Sequence, residues 1–321
     1  MELIYNKIFL EHETGDHPEN KKRLEVFGDL KETILENGEK YLELVHTKEY
    51  IEQVRIACTN SQPLDADTLT SPGSFKAATY AVEATVMASQ TNNFAFVRPP
   101  GHHAYASHGS GFCLFNNIAL ASQKLVNEGK KIAIIDIDGH FGDGTCYYFY
   151  NSSKVLYCSL HQYPAFPGKG FCDEIGEGKG KGFSVNIPLP PGSGDDLFLK
   201  SLSTIIIPIV EQFKPDHVGI SAGFDAYRLD PLLNLNISVN SFYKIGEMMQ
   251  NKFKNLFACL EGGYNLEGLP KCLNNFIDGI NGNQIKYEEK MTTSSQFIID
   301  EYNSRMKILQ NSLAPYWKFN L

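Results

Sequence analysis

The chain has 321 residues, 42% of them apolar, and a formal charge of −8 with no lysine or arginine block, so it can bury a large core and no nucleic-acid surface is indicated. Seven cysteines without a C-x-x-C pair suit reduced, packed thiols. With no apolar run of membrane-spanning length and no signal-peptide pattern, a soluble cytoplasmic protein without a membrane partner is expected.

After an apolar start at Leu3 to Tyr5, the stretch His12 to Asn20 reads as a polar, solvated loop whose Asp16 and Pro18 suit a turn into a helix from Arg23 to Leu35. Residues 47 to 56 look helical. Ser71-Pro72-Gly73-Ser74 then caps a helix from about Phe75 to Ser89, with Ala77, Ala78, Ala81, Val82, Thr85 and Met87 on a small packable face. Phe94 to Val97 is a brief strand that ends at Arg98-Pro99-Pro100-Gly101-His102-His103, an irregular loop. Gly111 to Asn117 leads into a helix from Ile118 to Asn127. The run that starts at Ile132 is apolar and β-branched, the mark of a strand buried on both faces. It breaks into Asp136-Ile137-Asp138-Gly139-His140. Asp138 and His140, two apart in extended chain, point the same way and can grip one metal ion.

Further strands are expected at Val155 to Leu160, Ser184 to Ile187, Val218 to Ala222 and Phe257 to Leu260, with a helix from Leu197 to Phe213. Residues 297 to 313 carry Ile298, Tyr302, Met306, Leu309 and Leu313 at helical spacing, which reads as a docked C-terminal helix. Strands alternate with helices throughout, without repeats or low-complexity linkers. A three-layer α/β/α architecture with a central, mostly parallel sheet follows, as one domain over residues 1 to 321.

In an open α/β sheet, ligands collect at the carboxyl ends of the strands. Four such ends carry His102 and His103, Asp138 and His140, Asp225, and Tyr264. Singly each has a plain structural use: a hydrogen-bonded loop pair, a chance triplet, a helix cap, a rim aromatic. Together they supply oxygen and nitrogen ligands, two bases and a phenol.

At this point the chain resembles the zinc-dependent histone deacetylase family of the arginase/deacetylase fold. The matching pieces are RPPGHHA from Arg98, GFCLFNN from Gly111, Asp136 to Thr145, SLHQYPAFPGKG from Ser159, SAGFDAYRLDPL from Ser221 and LEGGYN from Leu260, in family order, with wording nearest the bacterial and class II members. The resemblance implies one Zn²⁺ per chain held by Asp138, His140 and Asp225, proton handling by His102 and His103, and Tyr264 as oxyanion donor. Which histidine is base and which is acid stays open. Asp136 and Asp143 would orient the histidine pair as carboxylates orient imidazoles. Gly111, Phe112, Phe166 and Leu232 match substrate-facing positions, the two phenylalanines flanking a narrow tunnel for an acyl-lysine stem. Structural potassium is also implied, with Asp136, Phe149 and Ser159 at the matching places.

Two departures stand out. Phe141 occupies the place of a usual second histidine and should face away from the metal. Asp143 replaces a usual asparagine, which should raise the basicity of His103. An arginase-like enzyme with two manganese ions would need further carboxylates where Gly142 and Tyr227 stand, so a single-metal site is expected. The activity expected is removal of acyl groups from lysine in proteins or peptides. Its alternatives are an acetylpolyamine amidohydrolase and a non-catalytic acyl-lysine binding protein. Polyamine selectivity profits from a carboxylate at the tunnel mouth, and Leu232, following Asp230-Pro231, is apolar, which favours acyl-lysine.

Overall fold

Apolar runs too short for helices make the centre of the molecule. The computed structural model describes residues 1–321, and in it seven strands form one wholly parallel sheet: β1 (Leu3–Ile4), β2 (Phe94–Ala95), β3 (Ile132–Asp136), β4 (Val155–Gln162), β5 (Ser184–Leu189), β6 (His217–Ala222) and β7 (Leu256–Leu260). Their spatial order is β1-β2-β7-β6-β3-β4-β5. Every residue of β3 is buried, as a strand covered on both faces requires. The four strand ends singled out in the sequence belong to β2, β7, β6 and β3, which are contiguous in the sheet.

The helices are α1 (Lys22–Glu25), α2 (Lys48–Thr59), α3 (Ser74–Thr91), α4 (Asn117–Asn127), α5 (Asp143–Tyr148), α6 (Asp195–Ser201), α7 (Ile207–Phe213), α8 (Val239–Lys252), α9 (Leu269–Asn281) and α10 (Gln296–Leu313). One group, α3 with α4, packs on β2, β7, β6 and β3, while α6, α8, α9 and α10 form the other, α6 and α10 lying against β5. With the sheet between them this is the three-layer α/β/α arrangement. A single contiguous core of 82 buried residues joins the layers. Asn116 starts α4 by accepting from the Ala119 amide at 3.0 Å, and its amide donates to the Ala104 carbonyl at 3.0 Å, so the helix cap also fixes the loop that carries the two histidines.

Several local expectations needed correction. The helix from Arg23 to Leu35 shrinks to α1, because Gly28 turns left-handed at φ 72° and the chain beyond it is irregular, with the Thr33 amide donating to the Tyr5 carbonyl at 2.6 Å. Gly73, not a serine, is the N-cap of α3, and the Ser74 hydroxyl instead bonds the Ser71 amide at 2.8 Å and His12 Nδ1 at 2.7 Å. Between α6 and α7 the helix widens into a π turn over Leu202–Ile206. The loop from His12 to Asn20 is not solvated throughout: His12 and Glu19 are buried.

Candidate metal and catalytic centre

Asp138 and His140 leave the end of β3, and Asp225 leaves the end of β6, its neighbour in the sheet. Their ligand atoms lie within 4.8 Å of one another, with His140 Nδ1 2.7 Å from Asp225 Oδ2 and 3.4 Å from Asp138 Oδ1. Backbone amides aim the carboxylates: Gly139 donates to Asp225 at 2.6 Å, and His140 and Gly262 donate to Asp138 at 2.8 and 2.7 Å. A Cβ on Gly223 would come within 1.8 Å of Asp138 Oδ2, and one on Gly262 within 2.4 Å of Asp225 Oδ2, so both glycines are needed for the acids to approach.

Neither buried aspartate pairs with a lysine or arginine; their only cationic partners are histidines. Buried carboxylates without a cation are costly. Burial disfavours charge on His140, yet Asp225 and Asp138 hold its imidazole up at about 10. The cluster therefore demands positive charge, and a set of two carboxylate oxygens and one imidazole nitrogen fits a divalent ion.

His102 and His103 sit side by side, ring centroids 4.0 Å apart. Each has its own carboxylate: His102 Nδ1 lies 3.2 Å from Asp136 Oδ2, and His103 Nδ1 lies 2.8 Å from Asp143 Oδ1. The Tyr157 hydroxyl also donates to Asp136, at 2.9 Å. Against its burial, Asp138 and Asp136 hold His102 well above its usual range. Burial and the neighbouring charge of His102 pull His103 down to about 4. Asp143 contributes in the expected direction, favouring the charged ring, but burial and the charge of His102 outweigh it and leave His103 below its usual value.

Above the cluster opens a cavity of about 380 Å³ lined by His103, His140, Gly111, Phe112, Phe166, Leu232 and Tyr264, together with Asp65, Ala66 and Asp67. Phe112 meets the Tyr264 ring edge-on at 5.7 Å, and Phe166 meets His103 at 5.0 Å. Burial pushes the Tyr264 hydroxyl well up, so it stays a proton donor. Phe141 turns away from this cavity and packs on Tyr157 and His161 at centroid distances of 6.0 and 4.9 Å. Asp65 and Asp67 correct the view of an uncharged mouth drawn from Leu232 alone. They lie far upstream in sequence, between the chain's second and third helices, and only the fold brings them to the cavity.

Other residues escaped the sequence reading. Arg98 and Arg23 both clasp Glu19, at 2.7 Å from Arg98 Nη2 and 3.2 Å from Arg23 Nη1, and His12 Nε2 lies 3.3 Å away. Arg23 also donates to the Gly263 carbonyl at 2.8 Å and stacks over Tyr264 at 4.9 Å. Glu261 accepts from the Gly101 and His102 amides at 2.7 and 3.1 Å, tying the end of β7 to the histidine loop. Asp230 accepts from the Tyr264 amide at 2.7 Å. A charged residue inside or beside a motif, such as Arg98, Glu261 or Asp230, was the available signal. For Glu19 and Arg23 there was none short of the fold.

The sheet order, with this cluster at the carboxyl ends of its central strands, defines the arginase/deacetylase class of α/β proteins. The model of the histone deacetylase domain matches residues 17–280. A probable deacetylase of Archaeoglobus fulgidus is 38% identical over 296 residues, covering 83% of this chain and 82% of the relative. Histone deacetylase 8 of Arabidopsis thaliana is 36% identical over 258 residues, covering 74% of this chain and 68% of the relative. The crystal structure of the HDA15 HD domain superposes with a TM-score of 0.88 at 30% identity, covering 98% of both chains. The chain belongs to the histone deacetylase family, and with that membership it is a hydrolytic deacetylase acting on amides. No helix is long and apolar enough to cross a membrane.

Proposed function

We propose that residues 1–321 act as one zinc-dependent catalytic domain that removes acetyl or related acyl groups from the ε-amine of lysine in peptides or proteins. One observation carries this reading: the cavity that reaches His140 is walled by Phe112 and Phe166 and also presents His103 and Tyr264. Aromatic walls suit the apolar four-carbon stem of a lysine whose charge is masked by acylation.

Asp138, His140 and Asp225 would hold the zinc ion, and the chemistry it supplies when bound is Lewis acidity toward the amide carbonyl and a water molecule. The chain's own groups do the rest. With Nδ1 tied to Asp136 or Asp143, each of His102 and His103 has Nε2 free to exchange a proton, one with water and one with the departing amine. Tyr264 donates a hydrogen bond from its hydroxyl to the carbonyl oxygen as negative charge develops there, keeping its proton. A structural potassium ion beside Asp136, Phe149 and Ser159 belongs to the same proposal, and a higher Tm in KCl than in NaCl at equal ionic strength is its test.

Asp65 and Asp67 favour a second reading, an acetylated polyamine, whose remaining ammonium groups would pair with carboxylates at the cavity. The deciding experiment compares kcat/KM of the zinc-loaded protein for a fluorogenic acetyl-lysine peptide and for N-acetylputrescine. Faster turnover of the peptide, abolished by a chelator and restored by zinc, is expected. Preference for the polyamine would overturn the lysine assignment, and turnover of neither would overturn both substrate readings.

A further inference from the structure

The histidine–carboxylate pair nearest the cavity does not end at its carboxylate. Asp143 is buried, and its two oxygens have different partners: Oδ1 meets His103 Nδ1 at 2.8 Å, and Oδ2 accepts from the Tyr105 hydroxyl at 2.8 Å. The Tyr105 oxygen in turn accepts from Lys169 Nζ at 3.1 Å. Lys169 belongs to the segment that carries Phe166, the wall residue set edge-on against His103 at 5.0 Å. The Tyr105 ring is itself held by stacking on His108 at 4.4 Å and 14°, with Tyr147 at 5.6 Å on a tilted approach. A continuous hydrogen-bonded chain thus runs from Lys169 at the protein surface through Tyr105 to Asp143, which accepts from both Tyr105 and His103, and the Phe166 wall meets the same imidazole.

We propose that Tyr105 is a positioning residue for the His103–Asp143 pair, and that Lys169 sets Tyr105 from the loop that forms the substrate wall. A buried carboxylate with one oxygen unpaired can turn about its terminal bond; one gripped at both oxygens cannot. By fixing Asp143, Tyr105 fixes the His103 ring and leaves Nε2 aimed into the cavity. The stacked, half-buried phenol ring places its hydroxyl before substrate arrives. Tyr105 does not line the cavity, so its influence passes wholly through Asp143.

The inference rests on the proposed deacetylation for its kinetic test, and a spectroscopic test stands free of it. Removing groups that orient a reactive imidazole costs about 10- to 100-fold, so Tyr105→Phe should lower kcat for the acetyl-lysine peptide by about tenfold. KM should move by less than about twofold, with zinc content and Tm kept. Lys169→Met should lower kcat by a smaller factor and Lys169→Arg should restore it. In an Asp143→Asn background Tyr105→Phe should add little, because both changes break one chain. Tyr147→Phe, a neighbour without the polar contact, serves as the matched control. Independently of turnover, the hydrogen-bonded Nδ1 proton of His103, assigned by its loss in His103→Gln, should give a downfield NMR resonance that broadens or shifts in Tyr105→Phe. An unchanged resonance, a kcat within about twofold of wild type, or effects that multiply with Asp143→Asn would overturn the inference. A wild-type protein that fails to turn over the peptide while the resonance still responds to Tyr105→Phe would count against the deacetylation reading alone.

Discussion

Glu19 and Asp138 are both buried carboxylates close to the reaction cavity, and they are neutralised in opposite ways. Glu19 is clasped by Arg98 and Arg23 with His12 beside it, so its charge is balanced within the chain. Asp138 and Asp225 receive backbone amides and histidines but no lysine or arginine. The first cluster is closed and holds the N-terminal segment against the loops after β2 and β7. The second is left short of positive charge where a substrate can reach it. The contrast shows that burial of charge alone does not mark a functional site; what marks it is the missing counter-charge beside a cavity.

The largest effect should come from the uncompensated cluster. Asp138→Ala or Asp225→Ala should abolish metal retention and turnover together, read by elemental analysis and the peptide assay, while the fold persists because the acids contribute repulsion as well as ligation. Two metals per chain in active wild-type protein would sink the single-ion reading.

In the compensated cluster the loss should fall on stability. Glu19→Gln leaves two arginines without their shared anion, and breaking a buried pair costs about 3–5 kcal/mol, measurable by urea unfolding. The pH dependence has a definite sign. Burial opposes ionisation of Glu19, but Arg98 and His12 hold its carboxyl well below the ordinary value of 4.5. Its stabilising contribution is therefore present above that value and lost as pH falls below it. Wild type should lose more stability than Glu19→Gln on acidification, and parallel curves for the two would refute the pairing.

Tyr264→Phe removes one hydroxyl from the cavity and should cost roughly 10²–10³ in kcat with little change in Tm, since one oxyanion donor is typically worth that much. Retention of more than about a third of the wild-type rate would rule out the donor role. The smallest effect concerns the mouth. Asp67→Asn should weaken turnover of N-acetylputrescine by only several-fold, because charge pairs at an exposed rim are screened, and should leave an uncharged acetyl-lysine peptide nearly unaffected.

Much of the central machinery was legible because it is local in sequence. The apolar run from Ile132 announced β3, and Asp138 and His140 follow it directly, so strand, exit point and candidate ligands come from one short segment. The four strand ends could be placed at one edge because parallel α/β sheets collect ligands there, and β2, β7, β6 and β3 are indeed contiguous. Elements set by non-local packing were harder. The helix expected to Leu35 ends after one turn, and α5, α8 and α9 were not foreseen, since short or weakly patterned segments depend on what they pack against.

The sequence by itself determined the alternation of strand and helix, the candidate ligand and histidine side chains, and the family, because each rests on short-range patterns that survive without a fold. Only the tertiary structure decided which buried acids are paid for in counter-charge and which are not, that Asp65 and Asp67 face the cavity, that Glu19 joins Arg23 to Arg98, and that Tyr105 and Lys169 stand behind His103. Apart from Glu19 with Arg23, four positions apart, those contacts join residues dozens of positions or more apart in the chain, and charge compensation is a property of distance in space, which residue spacing along the chain does not encode.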